Sequence, residues 1–168
     1  FLTALSELIK SNELKFGVEV IFRAAGDFTF YEKLVLELSL EKIVHFRPEV
    51  SYVEATSEML DADILLLIQG DSCEFQIPAK TYEYFYSRKP ILALADPLSD
   101  TGNLLKEMGY SCVASINNMN DVKLKIIQSV NGFHNECLLL PSSERIKKYS
   151  RRALARQLAN ELDAALDL

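Results

Sequence analysis

Lys80 and Glu83 are the two residues whose types and spacing most clearly predict chemistry. They lie three positions apart in a stretch with a helical pattern, Ala79 to Ser87, so their side chains share one face. Lys80 falls in the first turn, where free N–H groups and a positive charge attract an anion. Glu83 could accept hydrogen bonds from hydroxyl groups of the same ligand. The competing interpretation is an ordinary exposed ion pair between the two side chains.

The stretch from Ala62 to Ala95 places this pair next to the end of a strand. An apolar run, Ile64 to Ile68, is followed by a polar loop, Gln69 to Gln76, and a second apolar run begins at Ile91 after Pro90. Neither run alternates with polar residues, which is typical of parallel strands buried on both faces. Because ligands of parallel sheets bind where strands end and helices begin, we expect the site at this loop.

Helical and strand patterns alternate along the whole chain. The predicted helices cover residues 1–11, 31–39, 52–60, 79–87, 101–108 and 120–130, and the predicted strands cover 18–22, 43–46, 64–68, 91–95 and 112–114. A final helix, capped by Ser142 or Ser143, would run to about Leu166 with a leucine at every fourth position. We expect that stripe to pack on this domain or on a partner domain. The alternation predicts a single α/β domain over 1–168, a three-layer Rossmann-like sandwich with a parallel sheet and a long C-terminal helix.

Composition excludes several classes of protein. The chain has 168 residues and a net charge of -6, which argues against a nucleic-acid partner. No apolar run reaches the roughly 20 residues of a membrane span, and no stretch has the pattern of a secretory signal. Cys73, Cys112 and Cys137 are widely spaced, which predicts free thiols in the reducing cytoplasm. The sequence has no clustered metal-ligand spacing, so no metal is expected.

One segment resembles a known family. The string Ile77 to Phe85 (IPAKTYEYF), followed by Arg88 to Leu94 (RKPILAL), is similar to the donor-binding segment of group 1 glycosyltransferases. These are retaining enzymes built from two Rossmann-like domains, the GT-B arrangement. Further segments resemble other parts of the same family in the same order, and the resemblance covers nearly the whole chain. Those further segments are Val44–Val50, Met59–Asp63, Tyr149–Arg151 and Leu154–Ala155.

The resemblance implies a donor-binding domain, the C-terminal half of a larger two-domain enzyme. Carried over by position, Glu83 would hydrogen-bond the ribose hydroxyls of a nucleoside-diphosphate sugar. The backbone of Ala79, Lys80 and Thr81 would meet the diphosphate at the start of the helix. The full enzyme would transfer a sugar from a UDP- or GDP-sugar to a glycan, a lipid or a similar acceptor with retention, as in polysaccharide biosynthesis. No metal or separate cofactor is implied.

The resemblance also assigns the base and the sugar, with two departures. Arg47 and Pro48 would lie against the base, although the family usually has Gly where this chain has Pro48. The segment from Gly70 to Glu74 would face the sugar. Many members carry an earlier Glu at the position of Phe75, which lies one residue after Glu74.

The catalytic Arg and Lys of the family, which stabilise the leaving diphosphate, would lie upstream of Phe1. The family's first strand would also lie there. That strand is expected between the strands at Val18 and Ile64, so the sheet would have a gap unless these two strands close up or another segment fills it. The chain alone is therefore expected to be inactive.

The expected partners are the nucleotide-sugar and an N-terminal acceptor-binding domain, through which the enzyme could associate peripherally with a membrane. One alternative is a nucleotide-sugar 2-epimerase, which needs cleft histidines, whereas the chain has only His45 and His134. Another is a non-catalytic nucleotide-sugar-binding or interaction module.

Overall fold

Helices and parallel strands alternate along the chain in a Rossmann-like α/β sandwich, as the sequence predicts. The structure is a computed structural model that describes residues 1–73 and 75–166. The described helices are α1 (Leu2–Lys10), α2 (Phe28–Glu37), α3 (Tyr52–Asp61), α4 (Ala79–Ser87), α5 (Asp100–Met108), α6 (Met119–His134), α7 (Ser143–Lys148) and α8 (Arg151–Leu166). The described strands are β1 (Val20–Arg23), β2 (Val44–Arg47), β3 (Leu65–Ile68), β4 (Ile91–Leu94) and β5 (Val113–Ala114), and a single 3-10 turn covers Asp71–Cys73.

The strands form two separate parallel sheets. β1 pairs with β2, and β4 lies between β3 and β5 in a sheet of three. Within the described residues, no backbone ladder joins β1 to β3, and no further strand lies between them. The single sheet that was expected is therefore split into two in the described residues.

β1 offers an unpaired edge on the side away from β2. Its ladder to β2 includes the N–H of Val20 donating to the Ile43 carbonyl at 2.8 Å and that of Ala24 donating to the Arg47 carbonyl at 2.9 Å. The backbone groups of the intervening Ile21 therefore point away from β2, and its side chain is 46% exposed.

β3 also has an edge that pairs with no described strand, on the side away from β4. The N–H groups of Leu65 and Gln69 bond towards β4, so the backbone groups of Leu66 and Ile68 point the other way. The Leu66 carbonyl accepts a hydrogen bond from the Tyr84 hydroxyl at 3.3 Å, and Ile68 is 47% exposed. The prediction that this strand is buried on both faces is therefore wrong for its last residue, whereas β4 is buried throughout.

Helix α1 covers the seam between the two sheets. Its Ala4 and Leu8 pack in the cluster around Leu92 of β4, while its Leu2 and Leu5 pack in the cluster around β2. A helix with apolar residues on so much of its surface can bury both sides at once. Side-chain packing therefore holds the two sheets together where backbone hydrogen bonds do not.

A third cluster fixes α4, the helix that carries Lys80 and Glu83. Phe85 is fully buried in it, and its ring stacks on Tyr110 with centroids 5.8 Å apart. Burying a phenylalanine side chain contributes roughly 2–3 kcal/mol. The helix ends where Arg88 takes a left-handed conformation with φ of 55°, and β4 starts after Pro90.

The expected single C-terminal helix is wrong, because the chain breaks between α7 and α8. At the break the Tyr149 hydroxyl donates to the Glu107 carboxylate at 3.0 Å, and its ring packs near Tyr82 and Phe85. The Ser150 hydroxyl then accepts from the Ala153 N–H at 3.1 Å. Because Tyr149 is anchored to α5, the backbone turns at this point. A new helix, α8, begins at Arg151.

The leucine stripe of α8 does not pack on this domain. Its four leucines are exposed by 40% to 84%, and Ala153 is the most buried described residue of the helix. Of the two expected locations, packing on this domain is therefore wrong, whereas packing on a partner domain stays a prediction. These leucines are Leu154, Leu158, Leu162 and Leu166.

Candidate functional site

The N-terminus of α4 is open. Its N-cap residue is Pro78, which makes no side-chain capping hydrogen bond, and the N–H groups of Ala79 and Lys80 donate to no described atom. The neighbouring helix α5, in contrast, is capped by the Ser99 side chain. Because unsatisfied N–H groups and the helix dipole favour negative charge, this end of α4 can bind an anion.

Lys80 and Glu83 are both exposed on α4. Within the described residues no ion pair joins them, so the alternative of an ordinary salt bridge is not seen. The rise between the two positions is about 4.5 Å, from 1.5 Å per residue. A cation near the open helix end and a carboxylate one turn further on are therefore both available to a ligand.

Thr81 differs from its two neighbours. It is fully buried, and its N–H donates to the Pro78 carbonyl at 2.9 Å. Its hydroxyl has no partner among the described residues. In this structure the free amides of the first turn are therefore those of Ala79 and Lys80.

The segment expected to face a sugar follows β3. Gly70 is exposed, and its carbonyl accepts from the Cys73 N–H at 3.1 Å. The space beside its Cα is open, because an added Cβ would meet nothing within 4 Å. Glu74 lies outside the described residues.

Arg47 and Pro48 belong to the other sheet. The guanidinium of Arg47 is 3.9 Å from the Glu19 carboxylate, and the Pro48 carbonyl accepts from Arg23 at 2.7 Å. No described hydrogen bond or ion pair links either residue to α4. Among the described residues, Arg47 and Pro48 therefore make their polar contacts with Glu19 and Arg23, not with Lys80 or Glu83.

Gln69 is a residue of this region to which sequence reasoning assigned no role. It directly follows β3 and is 6% exposed. Its side-chain nitrogen donates to the carbonyls of Cys73 and Gln76, both at 2.6 Å. The sequence shows an amide side chain directly after an apolar strand. It does not show which backbone carbonyls that amide contacts.

Tyr84 is a second neighbour that the sequence did not reveal. Its hydroxyl reaches the free edge of β3 at the Leu66 carbonyl. Burial, and to a smaller extent the charge of Glu83, raises the pKa of Tyr84. The hydroxyl therefore stays protonated at neutral pH and keeps its donor role.

The two histidines lie elsewhere. His45 on β2 is 3.4 Å from the Glu19 carboxylate, and His134 at the end of α6 stacks on Phe16 with ring centroids 3.7 Å apart. Neither has a described contact with α4 by hydrogen bond, ion pair or ring stacking.

The open end of α4 offers amides, a cation and a carboxylate, which suit binding of an anion bearing hydroxyl groups.

The described residues hold no group of three or more side chains suited to a metal ion. None of their helices has the length and apolar character needed to cross a bilayer. In the comparisons with known proteins, no family model and no curated protein matches the chain.

Proposed function

We propose that this chain is the donor-binding half of a retaining glycosyltransferase and binds a nucleoside-diphosphate sugar at the start of α4. The observation that carries the proposal is the uncapped N-terminus of α4, with Lys80 in its first turn and Glu83 one turn later. The resemblance of Ile77 to Leu94 to the family's donor-binding segment supports the same ligand. The acceptor and the transfer chemistry would belong to an N-terminal domain and to the cationic residues of the full cytoplasmic enzyme.

The proposed roles follow from charge and hydrogen-bonding capacity. The N–H groups of Ala79 and Lys80 bind diphosphate oxygens, and the Lys80 ammonium adds a charge-assisted contact. Glu83, as an acceptor with two oxygens, takes the ribose hydroxyls. In the full enzyme these contacts would hold the diphosphate as negative charge grows on it during departure of the sugar.

Calorimetric titration with UDP, GDP, ADP and their common sugars tests the proposal. We expect one nucleotide to bind weakly, and Glu83→Ala and Lys80→Met each to weaken it about tenfold or more, as loss of a charge-assisted hydrogen bond costs about 1.5–3 kcal/mol. Glu32→Ala is the matched control, because Glu32 is an exposed glutamate on α2. The control should bind as the parent does. Equal binding by Glu83→Ala and the parent, or no binding of any nucleotide, would count against the proposal.

A further inference from the structure

Gln69 ties two points of the loop between β3 and α4 to the end of the sheet. The carbonyls of Cys73 and Gln76 both accept from its Nε2 at 2.6 Å. The Cys73 carbonyl also accepts from the Gln76 N–H at 3.0 Å. One buried amide thus fixes the two points between which the loop turns.

A second buried side chain meets the same loop carbonyl. The hydroxyl of Thr101, fully buried in the first turn of α5, donates to the Gln76 carbonyl at 3.1 Å. Two residues after Gln76 comes Pro78, the N-cap of α4. The direction of the free amides at the start of α4 therefore depends on where Gln69 and Thr101 hold the Gln76 carbonyl.

The orientation of the Gln69 amide is set by its partners. A flipped amide would put Oε1 against two carbonyl oxygens at 2.6 Å, which is repulsive, so Nε2 must face them. Its Oε1 is then buried without a partner among the described residues. A buried acceptor without a partner lowers the stability of the fold. The favourable contribution of the Gln69 side chain therefore comes from its two N–H donors.

We infer that Gln69 is a positioning residue, which sets the geometry of the anion-binding turn at the start of α4 by holding the carbonyls of Cys73 and Gln76. The inference rests on the proposed function for its ligand, and on the hydrogen bonds alone for its effect on the loop. Gln69→Leu removes both donors at similar volume. Gln69→Glu offers a donor only when it is protonated, and Thr101→Val removes the hydroxyl alone.

The labelling rate of the Cys73 thiol measures how readily the loop opens, and it needs no ligand. Cys73 is half-buried in the loop, Cys112 is buried and Cys137 is exposed, so a Cys137→Ser background leaves Cys73 as the more accessible thiol. With a disulfide reagent such as dithiobis(nitrobenzoate), Gln69→Leu should raise the Cys73 labelling rate about tenfold, as expected for losing two buried hydrogen bonds. Thr101→Val should raise it less. The control is Ser129→Ala, which removes another buried hydroxyl, bonded to Ile126 on α6, and should leave the rate unchanged.

The same variants are titrated with pyrophosphate and UDP. Gln69→Leu should weaken binding about tenfold, and Ser129→Ala should not change it. For Gln69→Glu, both the labelling rate and the affinity, taken relative to the parent at each pH, should recover as the pH falls. Two carbonyls and burial favour the protonated carboxyl, which can donate one hydrogen bond. A residue that only stabilises the fold would leave the affinity of the folded chain unchanged at every pH.

The outcomes separate the two proposals. An unchanged Cys73 rate in Gln69→Leu overturns the inference. A raised rate with unchanged affinity, in a chain that binds pyrophosphate or UDP, overturns the positioning role. If the Cys73 labelling rate rises in Gln69→Leu but neither pyrophosphate nor UDP binds even the parent, the inference that Gln69 holds the loop is supported and the proposed function fails.

Discussion

Arg23 at the end of β1 forms a two-point ion pair with Glu58 on α3, with Nε 2.9 Å from Oε2 and Nη2 bonded to Oε1. The same guanidinium donates to the Pro48 carbonyl at 2.7 Å. The pair thus joins the first sheet to the helix that leads into the second. Its side chains are 20% and 41% exposed, so solvent weakens the attraction.

Replacing Arg23 should cost more than replacing a loose surface arginine. We expect Arg23→Met to lower the free energy of unfolding by about 1 kcal/mol, because a two-point pair and a carbonyl contact are lost. Arg47→Met is the control, since Arg47 is 3.9 Å from Glu19, and it should change stability by less than about 0.5 kcal/mol. Urea unfolding measures both. Equal effects would contradict a structural role for the Arg23–Glu58 pair.

Tyr110 should make the protein less stable in alkali. Burial raises the pKa of Tyr110 to about 12, whereas an unfolded tyrosine titrates near 10. Between these values the unfolded chain loses the proton first, so stability falls as pH rises, by at most about 1.4 kcal/mol per pH unit. Below pH 10 this contribution is constant.

Tyr110→Phe isolates this effect. The Tyr110 hydroxyl is buried without a partner among the described residues, so its removal should leave stability at pH 8 unchanged or slightly higher. Comparison of urea midpoints at pH 8 and pH 11 should show a smaller alkaline loss in the variant. An identical loss in both proteins would mean that other groups cause it.

Gly102 should tolerate no side chain. A Cβ there would lie 2.4 Å from the Asp96 carbonyl oxygen and 2.8 Å from the Cα of Pro97, and backbone atoms cannot move aside cheaply. Gly102→Ala should therefore destabilise the protein by about 2 kcal/mol, within the usual range for overpacking. Gly26→Ala is the control, because its Cβ would meet nothing within 4 Å. Thermal melts of the two variants should differ clearly; similar melting temperatures would contradict the close packing at Gly102.

The exposed leucines of α8 should contribute little to the stability of this chain. Leu158 and Leu162 are 61% and 57% exposed, so changing both to Gln should alter unfolding by less than about 0.5 kcal/mol per site. Phe85→Ala, in the buried cluster beneath α4, should cost about 3–5 kcal/mol. Calorimetry distinguishes the two cases. A large loss from the leucine changes would show that the stripe is covered in solution.

The open edges of β1 and β3 should accept an added strand. We expect that four aliphatic residues and a short turn, engineered ahead of Phe1, would pair with the backbone of Ile21 and with the N–H groups of Leu66 and Ile68. A gain of about 1 kcal/mol would raise the melting temperature by roughly 2–4 °C. An extension with two prolines in the strand is the control, because proline lacks the N–H donor. If both extensions melt alike, or if the Ile21 amide exchanges hydrogen as fast as before, strand pairing is not occurring.

The sequence predicts best the elements that are defined by local pattern. The bounds of α4 are those predicted, Ala79–Ser87, because Pro78 stands just before its first turn and the helix breaker Pro90 follows its end. α2 starts three residues before its predicted start, since Asp27 caps it by accepting from the Phe30 N–H. The break at Tyr149 was missed because it depends on a hydrogen bond to Glu107 on a distant helix.

The candidate site was predictable only where it follows from the pattern of one segment. Ala79, Lys80 and Glu83 lie together because α4 is a helix, and the helix is visible in the sequence. Gln69 donates to backbone carbonyls, which every residue possesses. The types of its partner residues therefore give no sign of these hydrogen bonds in the sequence. Arg47 lies on β2 and α4 follows β3, in different sheets, and local patterns do not specify how two sheets lie beside each other.

The seam between β1 and β3 also predicts two cooperative units, which differ in the free energy needed to open them. The ladder from β3 to β5 and the clusters around it can persist if β1 and β2 detach, because no ladder hydrogen bond has to break. Amide hydrogens over residues 20–47 should then exchange through openings of lower free energy than those over residues 91–114. Folding would proceed by docking a weaker two-stranded unit onto a stable three-stranded one.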